Sequence, residues 1–91
     1  MVTAIVFVAA DVAQIPEAAA AIADIDDVTE VYSVTGEIDL VAMVRVRELE
    51  DVARVVTERI DKVPGVLSTE THVAFRTYSR HDLEQAFSIG L

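Results

Sequence analysis

The sequence predicts an α+β domain in which a four-stranded antiparallel sheet carries two helices on one face. Three observations predict it. Four segments have the β-branched, alternating or doubly apolar composition of strands. Two segments between them place apolar residues at helical spacing, giving the order βαββαβ. The chain has 91 residues, enough for one packed core and too few for a second. We expect a single domain over residues 1–91, with its core at about 2–78 and a C-terminal tail at 79–91.

The first strand is predicted over residues 2–10 (VTAIVFVAA), apolar on both faces and so buried on both. Asp11 ends it, and Pro16 suits the first turn of a helix, where a missing N–H costs nothing. Alanine supplies helix propensity across 16–24, and Ile15, Ala18, Ala19 and Ile22 form its apolar stripe. Asp24, Asp26 and Asp27 close this helix, because anions are disfavoured at a helix C-terminus.

Residues 28–35 (VTEVYSVT) read as the second strand and 38–47 (IDLVAMVRVR) as the third, joined as a hairpin through Thr35-Gly36-Glu37. The third strand is expected to carry Ile38, Leu40, Ala42, Val44 and Val46 on one face, with Asp39, Val41, Met43 and Arg45 on the other. A second helix is predicted over 48–63, its stripe formed by Leu49, Val52, Val55, Val56, Ile60 and Val63, and Pro64-Gly65 stops it. Residues 68–78 alternate as the fourth strand, and 82–87 read as a short C-terminal helix. Leu83, Ala86, Phe87 and Leu91 are apolar, and we expect this tail to find cover on a neighbouring molecule.

With both helices on one face, this order gives a sheet of ferredoxin-like type. Two helices cover only one face of such a sheet. Val41 and Met43 lie opposite the Leu40 face and the first strand is apolar throughout, so a second copy is expected to cover the open face as a two-fold dimer.

Composition excludes several functions. Seven Lys and Arg against sixteen Asp and Glu give a formal net charge of −9, the wrong sign for a phosphate backbone or an anionic lipid surface. Cysteine is absent, so no disulfide, thiolate nucleophile or sulfur-ligated metal is available. The longest apolar run, residues 4–10, is far below the ~20 residues of a membrane span. No basic leader precedes it, and a cytoplasmic location is expected. No glycine-rich phosphate cradle or nucleophile elbow occurs, and neither His72 nor His81 has partners at metal-ligand spacing. Neither a cofactor nor a metal is expected, and no residue is assigned a catalytic role.

Asp39 stands apart from the other carboxylates as the only charge between residues 38 and 44. It either caps the hairpin by accepting from loop N–H groups or accepts from the ammonium group of a ligand. Position alone leaves both readings open.

The segment 28–41 resembles the strand–turn–strand signature of the Lrp/AsnC family, a V-x-x-V-x-x-x-T-G-acidic-x-D-hydrophobic run. Pro64-Gly65-Val66, followed by Thr69-Glu70-Thr71, is similar to that family's second signature, P-G-V-x-x-[ST]-x-T. Together they cover about residues 2–78. The chain starts at the first strand of the family's effector domain and so resembles a stand-alone form of it, the RAM domain, without the helix-turn-helix that reads DNA.

The resemblance implies a dimer built through the open sheet faces, dimers joined into an octameric or decameric ring, and an amino acid or related metabolite bound between neighbouring dimers. It assigns Thr35, Gly36, Glu37 and Asp39 to the hairpin side of that cleft, and Thr69 and Thr71 to the start of the last strand. Gly36 would admit a carboxylate to backbone N–H groups, Asp39 would pair with an ammonium, and the threonines would complete the hydrogen bonds. Ile38 departs from the aromatic residue frequent in the family at its position. The implied function is non-catalytic modulation of transcription or amino-acid metabolism through ligand-dependent assembly, with full-length family regulators as possible partners. Two other readings share the architecture. One is a small dimeric enzyme such as a cofactor-free monooxygenase, using His72, Tyr32 or Tyr78 as acid–base groups; the other is a purely structural ring.

Overall fold

The computed structural model describes residues 1–80; the short helix expected at 82–87 and the apolar tail lie outside them. The chain forms β1 (Val2–Ala10), a 3-10 turn (Val12–Gln14), α1 (Ile15–Ala23), β2 (Val28–Ser33) and β3 (Leu40–Val46). There follow α2 (Leu49–Val55), which runs on into a π turn (Val56–Ile60), and β4 (Val66–Val73). The sheet order is β2-β3-β1-β4 and all three pairings are antiparallel. This is the ferredoxin-like βαββαβ fold expected from the sequence.

Local chemistry explains where the elements start. The Asp11 carboxylate accepts from the Ala13 N–H at 3.0 Å and opens the 3-10 turn, and Pro16 stands in the first turn of α1. At α2 the Glu48 N–H donates to Asp51 Oδ2 at 3.3 Å, satisfying a donor that the helix leaves unpaired. Asp51 also pairs with Arg54 at 3.1 Å, and that carboxylate raises the Arg54 pKa.

One face of the sheet packs on both helices. Ala4, Val6 and Val8 of β1 and Leu40, Ala42 and Val44 of β3 are fully buried there. Ala18 and Ile22 of α1, with Val55 and Ile60 of the α2 region, close over them. Each of the Val, Leu and Ile side chains among them contributes about 1.5–3 kcal/mol of burial free energy. The opposite face carries Ile5, Phe7, Val41 and Met43, all half-buried within one chain. Register places Phe7 beside Val41 and Ile5 beside Met43, so these side chains form one apolar band across the two central strands.

The structure departs from the sequence reading in four places, of which one is the second strand, which ends at Ser33 rather than residue 35. The third strand begins at Leu40, not residue 38, and Ile38 faces a depression with Ile5 and Phe7 rather than joining the Leu40 face. The reason is Asp39, whose side chain replaces the next backbone rung and lets the chain leave the ladder. The second helix is not continuous in type: the Asp61 N–H donates to the Val56 carbonyl at 2.8 Å, an i→i−5 bond that inserts one residue into the turn. The fourth strand runs over residues 66–73 instead of 68–78; the Ala74 N–H still bonds the Thr3 carbonyl at 2.9 Å, and there β1 runs out.

Candidate functional site

The β2–β3 loop is held by backbone geometry. The Val34 N–H donates to the Asp39 carbonyl at 3.0 Å, and the Asp39 N–H donates to the Val8 carbonyl at 3.0 Å. Gly36 lies between them at φ +108°, a conformation that L side chains rarely adopt, and a Cβ there would meet nothing within 4 Å. The loop backbone at this point therefore faces open space. Thr35, Gly36 and Glu37 are exposed, while Asp39 is half-buried.

Asp39 neither caps the loop by accepting from its N–H groups nor stands free of the sheet. Its Oδ2 accepts from the Ala10 N–H at 2.8 Å, at the end of β1 where the β1–β4 register shifts. The other carboxylate oxygen is left out of that bond.

Glu37 and Ile38 form one wall of a depression of about 540 Å³ on the open sheet face. Its floor is Ile5 and Phe7, and its far wall is Glu70 and His72 of β4. The His72 ring stands edge-on to Phe7, with centroids 5.1 Å apart and planes at 86°. His72 Nε2 lies 2.6 Å from Glu70 Oε2. On β2, the hydrogen bond to the Glu30 carboxylate, followed by burial and its charge, raises the Tyr32 pKa above the ordinary phenol value.

Thr69 and Thr71 occupy the other face of β4. They pair across the ladder with Val8 and Val6, both core residues, so their side chains lie on the helix side of the sheet. Thr69 Oγ1 donates to Asp61 Oδ1 at 2.8 Å. Thr71 opens onto a groove of about 480 Å³ between β4 and α2, with Val52, Ala53, Val56 and Val73 among its lining.

Within one protomer the expected site residues thus fall into two groups. The hairpin residues and the threonine pair lie toward the same end of the sheet, but β1 separates them, and Glu37 and Thr71 line different depressions. Tyr32 and His72, weighed above as acid–base groups, stand on opposite edge strands, three strand spacings or about 14 Å apart. Tyr78 lies past β4 and is largely exposed.

The sequence reading missed Asp61. Nothing in the helical periodicity of residues 48–63 shows that a π turn brings this carboxylate against β4. In the structure the Thr57 hydroxyl bonds the Ala53 carbonyl at 2.8 Å, a back-bonding arrangement that often accompanies bent or irregular helix turns.

A ferredoxin-like sheet with one apolar open face, a glycine hairpin exposing its backbone and a P-G-V-x-x-T-x-T entry to the last strand together place the chain among small ligand-binding domains. The chain belongs to the Lrp/AsnC ligand-binding domain family, which it matches over residues 3–83. It is 41% identical over 61 residues to an uncharacterized HTH-type transcriptional regulator, PF0250, of Pyrococcus furiosus; the match covers 67% of this chain and 41% of the relative. The chain spans less than half the length of the curated relatives it matches.

Among solved structures it superposes on TTHA0845 of Thermus thermophilus with a TM-score of 0.83 and 45% identity, covering 88% of this chain and all of the other. It also superposes on the feast or famine regulatory protein Rv3291c of M. tuberculosis, solved with L-methionine. There the TM-score is 0.74 and the identity 29%, over 88% of this chain and 54% of that one. Among the described residues, no helix is long and apolar enough to cross a membrane.

Proposed function

We propose that this chain is a non-catalytic sensor module that binds an amino acid or a related small metabolite and passes that binding on through assembly. The observation that carries the reading is the family match over residues 3–83, which spans the whole sheet and both signature segments. The L-methionine complex of Rv3291c supports an amino acid as the effector class. The half-buried band of Ile5, Phe7, Val41 and Met43 supports a dimer in which two open sheet faces pack together.

In this reading, dimers associate further into a ring, and the effector lies where one dimer's hairpin (Thr35, Gly36, Glu37, Asp39) meets Thr69 and Thr71 of the next. Gly36 presents backbone N–H groups to the effector carboxylate, with space around them. The charge of −9 argues against direct DNA contact by these 91 residues, and mixed assembly with full-length regulators that carry a helix-turn-helix is the route by which they would affect transcription.

A thermal-shift screen of the purified protein against the twenty amino acids tests the effector class. Ligand at ~100 times its Kd adds about 2.7 kcal/mol per site, which for a domain of this size is on the order of ten degrees. One or a few responders support the reading, and a flat response to all twenty overturns it for amino acids.

A further inference from the structure

We infer that residues 82–91 of one copy cover the apolar groove between β4 and α2 of a second copy, as a clasp across the dimer; the inference rests on the reading above that two open sheet faces pack together. The groove, of about 480 Å³, lies on the helix side of the sheet at its β4 edge. Leu49, Val52, Ala53, Val56 and Val73 make its walls apolar. Leu49 and Val73 remain 60% and 41% exposed although they border the core.

The chain holds a segment whose chemistry matches this groove. Leu83, Ala86 and Phe87 follow one another at i, i+3 and i+4, the spacing of one helical face, and Ile89 and Leu91 extend the apolar content. An amphipathic turn laid into an apolar groove is a recurrent mode of docking between chains. The family match ends at residue 83, so most of this segment lies beyond the shared domain.

The path of residues 74–80 leads the segment away from its own groove. The Ala74 N–H bonds the Thr3 carbonyl at 2.9 Å, just past the last β1–β4 pair. Three residues on, Thr77 lines a small depression with Thr3, Thr29, Glu30, Met43 and Arg45. Met43 and Arg45 stand on the open face, paired across the ladder with Ile5 and Thr3. The chain has therefore crossed from β4, over the end of β1, to the β3–β2 side of the open face. A return to its own groove would run back across more than two strand spacings, over about 10 Å, and then around the edge of β4.

A second copy is nearer. When two open faces pack about a two-fold axis that runs along the strands, β2 of each copy lies over β4 of the other and the strand ends stay level. Residues 77–80 then leave the sheet beside the end of the second copy's β4. Val73 stands at that end, and with Leu49 at the start of α2 it forms the near end of the groove.

The chain has no cysteine, so introduced thiols report the contact cleanly. Ala53→Cys places one on the exposed wall of the groove, and Ser88→Cys places one beside Phe87. Co-expressed and treated with a short bis-maleimide, the two variants are expected to give a product of twice the chain mass in which peptides containing residues 53 and 88 are joined. If these positions join only within a single chain carrying both substitutions, the segment covers its own groove and the inference fails. No joined peptide in either case means that the groove stays open or takes another protein, and overturns it as well. In the full chain, Leu49→Ser and Phe87→Ser should each weaken the dimer about tenfold by sedimentation equilibrium, and together no more than either alone. Losses that add would show that the two side chains do not meet, which overturns the inference even where a cysteine variant fails to fold. A wild-type chain that stays monomeric in light scattering overturns the reading of packed sheet faces, whereas a dimer without the 53–88 link overturns this inference alone.

Discussion

The Ala10 N–H donates to the Asp39 carboxylate at 2.8 Å, joining the end of β1 to the start of β3 across 29 residues of chain. A side chain here does what the next backbone rung would have done. The β1–β3 ladder pairs Val8 with Leu40 and there it stops, so residues 34–39 are released to form the hairpin loop. The carboxylate that resembles a ligand-binding group is thus also the group that shapes the loop.

Replacing Asp39 with Ala should leave the half-buried Ala10 N–H without its partner and cost about 1–3 kcal/mol. For a domain of this size that is a drop in melting temperature of roughly 5–20 °C. Asp39→Asn keeps an acceptor and should cost markedly less. Calorimetry on the two variants side by side checks the order; equal losses would mean that the carboxylate charge, not the hydrogen bond, matters.

The two loop glycines should respond differently to alanine. Gly36 at φ +108° has nothing near its missing Cβ, so Gly36→Ala carries only the cost of the backbone conformation, about 1–2 kcal/mol. At Gly65, with φ +94°, a Cβ would lie 2.9 Å from Gln14 Cβ, so steric conflict adds to the same strain. Chemical denaturation should therefore find Gly65→Ala the less stable of the two.

Val41 lies between Tyr32 and Phe7 in the middle of the open face, outside the helix-packed core. Val41→Lys should leave the fold intact by circular dichroism and halve the dimer mass measured by light scattering, if two open faces pack as proposed. Ile22→Ala, at a fully buried position, should instead lower stability by about 2–5 kcal/mol.

The Tyr32 phenol titrates above its ordinary value because Glu30 hydrogen-bonds to its protonated form and adds a nearby negative charge. With the folded pKa raised, this interaction is fully present below the unfolded phenol value and is lost as pH rises through the folded one. Glu30→Gln should lower the alkaline midpoint of the Tyr32 absorbance titration; an unmoved midpoint would mean that Glu30 does not set it.

Much of this was legible in the residues. The βαββαβ order, the buried first strand and the two faces of β3 from Leu40 onward all follow from period-2 and helical spacing, because burial on one face forces those patterns. The hairpin and the P-G-V turn were legible too, since Gly36 and Gly65 occupy positive-φ positions that other residues tolerate poorly.

Other features depended on contacts between residues far apart in the chain. Ile38 fitted the alternation of its strand, yet it faces the other side, because Asp39 bonds to a residue 29 positions earlier. The helical spacing of residues 48–63 assigns Asp61 no partner, and only the packing of the α2 region along β4 sets it against Thr69. Periodicity records which side of an element is apolar; it carries no information about which polar side chain meets which. The sequence by itself determined the fold and the family. The tertiary structure alone decided that Asp39 caps the sheet, that Asp61 joins Thr69, and that the hairpin and the threonine pair lie apart within one protomer, because those partnerships arise only when the sheet assembles.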